Sequence, residues 1–180
     1  RSTLFPYTTL FRSASIGISL PCSTNKGDEI SSASLAGSEF CNEFSEVNIQ
    51  DGFECVEKMC EKTSGINSTS ISQGNIKARL RMIALYDIAS KRRGLVIDTD
   101  NITENSIGFF TVNGDVGDLN PIGNLWKTEV YGLADYLYKE VYKDSKALKA
   151  AIEITPTDGN GVSKSDVDQI MPGYTYSDID

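Results

Sequence analysis

Two hydrophobic patterns alternate along the chain. Short apolar runs, which are typical of buried strands, occur at 14–20, 45–49 and 95–97. Between these runs, apolar residues recur every three or four positions and predict helices over 29–44, 52–62, 75–92, 125–142 and 146–152. The polar stretch 63–74 is rich in Ser, Asn and Gly and is expected to form an exposed loop. The alternation predicts an α/β fold with a mainly parallel sheet.

The helix over 75–92 has the clearest amphipathic pattern. Its core-facing positions are expected to be Ile76, Leu80, Ile83, Ala84 and Ile88. Arg79 lies at the border of this stripe and is expected to be partly buried, whereas Lys77 and Arg81 are expected to point further away. A partly buried arginine binds either a carboxylate of its own chain or a phosphate of a ligand, and the pattern leaves both open.

The composition is typical of one ordinary globular domain and argues against several classes of function. The 180 residues carry a formal net charge of −8, which argues against a general nucleic-acid or membrane binder. No apolar run is long enough to span a membrane. The chain has no histidine, which excludes Ser-His-Asp and Cys-His catalysis and disfavours a zinc site. Its four cysteines form no Cys-x-x-Cys pair, so free and buried thiols are expected.

An oxygen-rich segment follows the apolar run at 95–97. It contains Asp98, Thr99, Asp100, Asn101, Thr103 and Glu104. Ligands of open α/β sheets bind where strands end, and such oxygens suit Mg²⁺ with a phosphate-bearing substrate. The plainer interpretation is that Glu104 lies in the first turn of a helix, where the helix dipole favours an acidic side chain.

Two downstream features also have both a binding and a structural interpretation. Phe109 and Phe110 follow a glycine and suit a wall that stacks on a ligand ring, or plain core packing. Asp118 ends the glycine-rich turn over 113–118. Its carboxylate is able to bind a ribose hydroxyl, an amine or a metal, although most such turns only reverse the chain.

Two further residues are candidates for phosphate binding. Lys127 is predicted near a helix N-terminus, where the dipole opposes its charge, so either a phosphate or solvent is expected beside it. Thr157 follows Pro156 in a loop and either binds a phosphate or forms a local turn.

Five strings occur in order and at matching spacing: GNIKARLRM, TDNITE, GFFTVNGDVGDLNPI, LWKTEVYGLADYL and PTDGNGVSKSDVDQI. Together they closely resemble ammonia-dependent NAD synthetase over residues 14–180, most strongly over 74–168. The resemblance implies an adenine-nucleotide α-hydrolase-like α/β fold and a cytoplasmic homodimer. It also implies that Mg-ATP adenylates the nicotinate carboxylate of deamido-NAD, that pyrophosphate leaves, and that ammonia attacks the activated acyl group.

The resemblance implies a role for each candidate residue. Thr99, Lys127 and Thr157 would bind ATP. Glu104 would ligate Mg²⁺. Arg79 and Asp118 would hold deamido-NAD, with Phe109 and Phe110 lining its nicotinate region. No histidine base is implied, because ammonia is itself the nucleophile.

The chain departs from the family pattern near its start. The family's phosphate-binding loop, Ser-Gly-Gly-x-Asp-Ser, does not occur in the sequence. We therefore expect residues 1–13 to be foreign or disordered, and residues 14–180 to form an incomplete synthetase domain without the first strand and its loop. Asp98 and Val112 also stand where family members often have glycine and lysine. This chain alone is expected to show no turnover in a coupled NADH-forming assay with ATP, Mg²⁺ and ammonium.

Two other functions remain open from the sequence. One is another ATP pyrophosphatase that amidates or thiolates a different substrate, although the GFFTVNGDVGD string favours the NAD synthetase interpretation. The other is a non-catalytic nucleotide-binding or dimerisation module. It would bind deamido-NAD or form stable dimers without hydrolysing ATP.

Overall fold

A computed structural model describes residues 15–156, 167 and 171–180. Within them, the regular sheet consists of β1 (Ile16–Ser19) and β2 (Glu43–Glu46). The two strands are parallel, with Ile16 opposite Glu43 and Ser19 opposite Glu46, and helix α1 (Gly27–Phe40) connects them. This parallel strand–helix–strand unit confirms the predicted α/β architecture.

The remaining helices follow in chain order. They are α2 (Gln50–Ser64), α3 (Ser70–Arg92), α4 (Ile102–Ile107), α5 (Lys127–Tyr136), α6 (Lys146–Glu153) and α7 (Tyr176–Ile179). A π-helical turn over Leu137–Val141 continues α5. The strand predicted at 95–97 is wrong as a regular element: Ile97 forms only an isolated parallel bridge with Leu119. In the part of the chain that the structure describes, no helix combines the length and apolar character needed to cross a membrane.

Three predicted boundaries are wrong, and each has a local cause. Helix α1 ends at Phe40 rather than at 44, because Cys41 is already extended (φ −108, ψ 150) and leads into β2. The second strand therefore spans 43–46 rather than 45–49. Helix α3 begins inside the predicted loop 63–74, because the Thr69 hydroxyl caps it and accepts from the Ser72 amide at 3.2 Å.

The main apolar core lies between α1 and α6. Ala36 and Phe40 of α1 pack with Ala147 and Leu148 of α6, and Leu148 is 1% exposed. The carboxylate of Glu39 accepts from the Ala147 amide at 3.2 Å and so caps α6 from α1. Apolar burial and a helix cap together hold the C-terminal half of the chain against the strand–helix–strand unit.

Helix α3 fully buries residues outside its predicted apolar stripe, whereas the stripe residues Ile76, Leu80, Ala84 and Ile88 are half-buried. The expectation that Ile83 faces the core is wrong, since it is 58% exposed. The expectation that Lys77 points away is also wrong, since it is 3% exposed. Its Nζ donates to Thr24 Oγ1 at 3.2 Å and lies 4.7 Å from the centre of the Phe53 ring. A hydroxyl and an aromatic face on neighbouring elements therefore accept the buried ammonium.

The four cysteines are free, as the sequence predicts, but they are not all buried. Cys22 is buried and Cys41 is half-buried, whereas Cys55 and Cys60 are exposed. Burial raises the pKa of the Cys41 thiol. A Cβ at Gly17 of β1 would lie 2.7 Å from the Cys41 sulfur, so the absence of a side chain at Gly17 lets Cys41 pack on the strand.

Candidate functional site

The start of α4 is a buried polar turn. Asn101, Thr103 and Glu104 are 1%, 0% and 4% exposed. The side-chain oxygen of Asn101 accepts from the Glu104 amide at 3.0 Å. In return, Glu104 Oε2 accepts from the backbone N (3.1 Å) and Nδ2 (2.7 Å) of Asn101. This reciprocal cap agrees with the structural interpretation of an acidic residue in the first helical turn, and it occupies one of the two carboxylate oxygens of Glu104.

Lys127, the first residue of α5, contacts the other oxygen. Its Nζ lies 3.1 Å from Glu104 Oε1, and the two side chains are 16% and 5% exposed. The carboxylate offsets the unfavourable interaction between the lysine and the helix dipole. Because both charges are largely removed from water, removing either side chain would leave the other charge buried without a partner.

The last helix covers this ion pair. Asp180, directly after α7, accepts from Thr103 Oγ1 at 2.7 Å and from the Thr128 amide at 2.8 Å. Thr103 Oγ1 in turn accepts from the Lys127 amide at 2.8 Å. The Lys127 ammonium lies 5.6 Å from the centre of the Tyr176 ring, within cation–π range. Helices α4, α5 and α7 therefore converge on one polar cluster.

The loop that follows α4 is attached to α3. Thr111 Oγ1 donates to Asn75 Oδ1 at 2.9 Å, and Arg79 Nε donates to the Val112 carbonyl at 3.2 Å. Arg79 is exposed, so the expectation that it is partly buried is wrong. Its stripe position suggested burial, but the neighbouring loop contacts it at the surface. The hydrogen-bond partner is a backbone carbonyl rather than the intramolecular carboxylate that the sequence left open, and the guanidinium remains accessible to a ligand.

The aromatic pair begins where α4 ends. Gly108 adopts the left-handed conformation (φ 72), and the Phe109 amide then donates to the Glu104 carbonyl at 2.9 Å. Phe109 is half-buried, whereas Phe110 is 42% exposed. One ring thus has a packing role, and the other offers a face to solvent or to a ligand.

Asp118 has a structural role at the neighbouring extended segment. Its Oδ2 accepts from the Val96 amide at 2.9 Å, and its own amide donates to the Val96 carbonyl at 2.8 Å. A further hydrogen bond joins the same two segments, since the Asp98 amide donates to the Leu119 carbonyl at 2.9 Å. Among the described residues, no hydrogen bond or ion pair joins Asp118 to Arg79, so the structure does not bring these two predicted binding residues into contact.

The phenol of Tyr86 is affected by the carboxylates of Asp118 and Asp98. Desolvation, the negative charges of Asp118 and Asp98, and a hydrogen bond with Asp118 together raise the pKa of Tyr86. Each of these effects disfavours the phenolate. The stabilisation that the neutral phenol provides is therefore present below the ordinary tyrosine pKa and is lost as the pH rises through the raised value.

We expect the Tyr86 phenol to titrate at higher pH than an unperturbed tyrosine. The difference in tyrosinate absorbance between the native chain and Tyr86→Phe isolates this one phenol from the other seven tyrosines. In Asp118→Asn the midpoint should fall towards the ordinary value, because a negative charge beside the phenol is removed. A midpoint equal to that of a free tyrosine derivative in the native chain would contradict the hydrogen bond with Asp118.

The structure brings together two of the residues predicted to bind ATP and metal. Glu104 and Lys127 form the buried ion pair. Thr99 is half-buried in the turn that leads into α4, where the Asp100 amide donates to Asp98 Oδ1 at 2.9 Å. Thr157 lies outside the described residues.

A second polar cluster was not anticipated from the sequence. Arg81 donates to the Leu20 carbonyl at 3.0 Å through Nε and to Asn25 Oδ1 at 3.2 Å through Nη2. The Cys22 sulfur lies 3.2 Å from Thr24 Oγ1. Burial raises the pKa of the Cys22 thiol, but the hydrogen bonds of Thr24 and the positive charges of Arg81 and Lys77 outweigh burial, and the net shift is downward.

The signal for this cluster was the four-residue spacing between Lys77 and Arg81, which places both cations on one face of α3. Because a charged stripe is usually solvated, the spacing alone did not distinguish a buried cluster from an exposed one.

The donor set around Glu104 suits a metal that arrives with a nucleotide better than a resident metal ion. The described residues contain no group of three or more His, Cys, Asp or Glu side chains able to hold a metal. Mg²⁺ in nucleotide sites keeps several waters and takes one or two carboxylates together with substrate phosphates. A carboxylate paired with a lysine, which is itself able to bind phosphate, fits that arrangement.

Sequence comparison identifies a family and relatives that the chain resembles. The family described as NAD synthase matches residues 7–180. The chain is 36% identical over 171 residues to an NH(3)-dependent NAD(+) synthetase of Carboxydothermus hydrogenoformans, covering 94% of this chain and 66% of the relative. It is 33% identical over 162 residues to a protein of the same name from Thermoplasma volcanium, covering 89% of this chain and 61% of the relative. The chain therefore spans only part of the length of either relative.

Solved structures agree with the sequence matches. NMN synthetase from Francisella tularensis aligns with a TM-score of 0.77 at 30% identity, covering 91% of this chain and 63% of that one. NH3-dependent NAD synthetase from Campylobacter jejuni aligns with a TM-score of 0.64 at 30% identity, covering 78% of this chain and 58% of that one. These similarities confirm the predicted adenine-nucleotide α-hydrolase-like fold class.

Proposed function

Because the chain belongs to the NAD synthase family, we propose that it is part of an ATP-dependent ligase that converts deamido-NAD to NAD with ammonia. The observation that carries the proposal is the buried pair of Glu104 and Lys127, 3.1 Å apart. The family resemblance implies that this carboxylate and this amine serve the metal and the phosphates of ATP. Their contact supports a shared site for the two.

Lys127 would provide positive charge in the first step of the reaction, the adenylation. Adenylation of the nicotinate carboxylate releases pyrophosphate, and its growing negative charge requires positioned cations. Lys127 provides one when its ammonium moves from Glu104 Oε1 to a phosphate oxygen. That movement would leave the Glu104 carboxylate buried without a countercharge, which is costly. Glu104 would therefore hold Mg²⁺, which, when bound, neutralises charge on the phosphates.

In the proposal, the remaining candidates divide between the two substrates. Thr99 and Thr157 bind ATP together with Lys127. Deamido-NAD contacts Arg79 and Asp118, with Phe109 and Phe110 beside its nicotinate ring. The exposed Arg79 and the 42% exposed Phe110 support this assignment, since both remain able to touch a ligand. Ammonia is its own nucleophile, so the lack of histidine is no obstacle.

NMN is a second candidate product. NMN synthetase from Francisella tularensis has a TM-score of 0.77 to this chain. A mononucleotide acceptor presents the same nicotinate carboxylate for adenylation, so the same chemistry applies. The relatives do not favour the alternative of another ATP pyrophosphatase with an unrelated substrate. They are named NAD synthetases, and their alignments cover 94% and 89% of this chain.

Two broader properties belong to the same proposal. A homodimer is supported by apolar side chains exposed on and between α2 and α3, with Met59, Ile66 and Ile71 at 59%, 72% and 62% exposure. Sedimentation equilibrium of the chain tests the homodimer. A monomer mass at all concentrations would refute the homodimer proposal. A cytoplasmic location follows from the family resemblance.

The decisive experiment extends the chain towards the full length of a relative, since the chain covers 66% of the Carboxydothermus protein. Residues 1–13 are replaced by a segment that carries the Ser-Gly-Gly-x-Asp-Ser loop of the family pattern, and the part of the Carboxydothermus relative that lies beyond the aligned region is added after Asp180. We expect this chimera to form NAD from deamido-NAD, or NMN from the corresponding mononucleotide, only with ATP, Mg²⁺ and ammonium. Coupled reduction of NAD and mass spectrometry of NMN measure the two products.

The matched variant is Lys127→Met in the same chimera, which keeps the length of the side chain and removes its charge. Its turnover should fall by about 100-fold, the effect of losing one preorganised charge-stabilising group. A folded chimera that forms neither product would refute the proposal. The unaltered 180-residue chain is expected to remain inactive.

A further inference from the structure

The side chain of Asp180 uses both of its oxygens to join two helices. Oδ1 accepts from Thr103 Oγ1 at 2.7 Å, and Oδ2 accepts from the Thr128 amide at 2.8 Å. Thr103 lies in the first turn of α4, and Thr128 lies in the first turn of α5. One carboxylate therefore ties the N-terminal turns of α4 and α5 together.

These turns carry the ion pair of the candidate site. Glu104 directly follows Thr103, and Lys127 directly precedes Thr128. The Thr103 hydroxyl accepts from the Lys127 amide at 2.8 Å, so its single proton is free to be donated to Asp180. Thr103 is fully buried whereas Asp180 is exposed, so this chain of hydrogen bonds runs from the interior of the cluster to the protein surface.

The charge of Asp180 complements the elements that it joins. An anion at the N-terminus of α5 interacts favourably with the helix dipole and with the first-turn amides. Tyr176 lies four residues before Asp180, one helical turn away, and places its ring 5.6 Å from the Lys127 ammonium. Helix α7 thus restrains the backbone next to Lys127 through Asp180 and its side chain through Tyr176.

We propose that Asp180 is a positioning residue of the ATP site, which holds Lys127 and Glu104 in register by bridging Thr103 and the Thr128 amide. The role in the ATP site rests on the proposed function. Asp180 itself touches neither reacting group, and it acts through the turns that carry them. Its removal releases α5 from α4 and frees the Lys127 side chain.

Amine footprinting tests this inference on the 180-residue chain. The chain is labelled with a lysine-acetylating reagent, and acetylation of each lysine is quantified by mass spectrometry. In Asp180→Ala, labelling of Lys127 should rise by about tenfold, as expected when charge-assisted hydrogen bonds that hold a site are lost. In Asp180→Asn the rise should be smaller, because the amide keeps one acceptor oxygen. Ser177→Ala, an exposed change on the same helix, is the control and should leave Lys127 unaffected.

The exposed residues Lys58 and Lys139 provide internal references within each sample. A rise confined to Lys127 supports the proposal, and unchanged Lys127 labelling in Asp180→Ala overturns it. If Asp180→Ala makes every lysine more reactive, the isosteric Asp180→Asn decides. A selective rise there supports positioning, whereas no rise, or a uniform rise in both variants, overturns it.

A second arm with ATP and Mg²⁺ separates this inference from the proposed function. Protection of Lys127 by ATP in the native chain supports the role of Lys127 in phosphate binding. Weaker protection of Lys127 in Asp180→Ala than in Ser177→Ala supports the proposal that Asp180 positions Lys127 for this role. If ATP protects no lysine, the ATP role proposed for this chain fails. The labelling contrast without ATP still decides whether Asp180 holds Lys127 in place.

Discussion

Glu104→Ala is expected to lower the free energy of unfolding by about 3–5 kcal/mol, as for other buried ion pairs that lose one partner. The change leaves the Lys127 ammonium without its carboxylate, at 16% side-chain exposure. It also leaves the backbone N and Nδ2 of Asn101 without their acceptor. Urea denaturation measures the loss, and the single tryptophan, Trp126, reports on it from beside Lys127.

Two matched variants serve as controls for Glu104→Ala. Glu104→Gln keeps an oxygen for Asn101 but removes the charge that faces Lys127, so its loss should be smaller than that of Glu104→Ala. Glu153→Ala removes an exposed carboxylate that lies 4.0 Å from Lys149, and surface pairs of this kind contribute about 0–1 kcal/mol. If Glu104→Ala costs no more than Glu153→Ala, the buried pair does not exist in solution.

Gly117→Ala is expected to lower the free energy of unfolding by about 1–3 kcal/mol, the usual cost of overpacking. A Cβ at Gly117 would lie 2.4 Å from the Asp98 amide nitrogen and 2.8 Å from its Cα, so it meets backbone that cannot rotate away. Relief requires separating two segments that are joined by the Asp98 amide and the Leu119 carbonyl at 2.9 Å. Thermal or urea unfolding measures the loss.

Gly132→Ala is the control for this substitution. Gly132 lies within α5, and a Cβ there meets nothing within 4 Å. Alanine is the better helix former by about 1 kcal/mol, so this variant should be more stable than the native chain. The two glycine substitutions are therefore expected to differ in sign. Stabilisation by both would mean that the 96–98 and 117–119 segments are not in contact in solution.

The helices were predictable wherever a local rule governs them. The apolar stripe located α5, and the Thr69 and Ser72 capping pair was present in the sequence although the predicted loop 63–74 ignored it. The buried face of α3 was not predictable in this way. It depends on which elements pack against the helix, and the loop after β1 offers Lys77 a hydroxyl that no helical periodicity can show.

The candidate site shows the same division between local and tertiary information. Glu104 was recognised as a first-turn acid or a metal ligand, and Lys127 as a lysine at an unfavourable helix end. Their contact joins residues separated by 23 positions, and local patterns carry no information on such pairs. Asp180 was missed, because its role comes entirely from two hydrogen bonds to distant helices.

The burial of the Glu104–Lys127 pair also governs how the chain responds to ionic strength. Mobile ions screen exposed pairs such as Lys91 with Asp87, whose side chains are 72% and 57% exposed, but have little access to charges inside the protein. Potassium chloride should therefore weaken the surface pairs while leaving the buried contact nearly intact. Buffers of quite different salt content will then present the same geometry at this cluster.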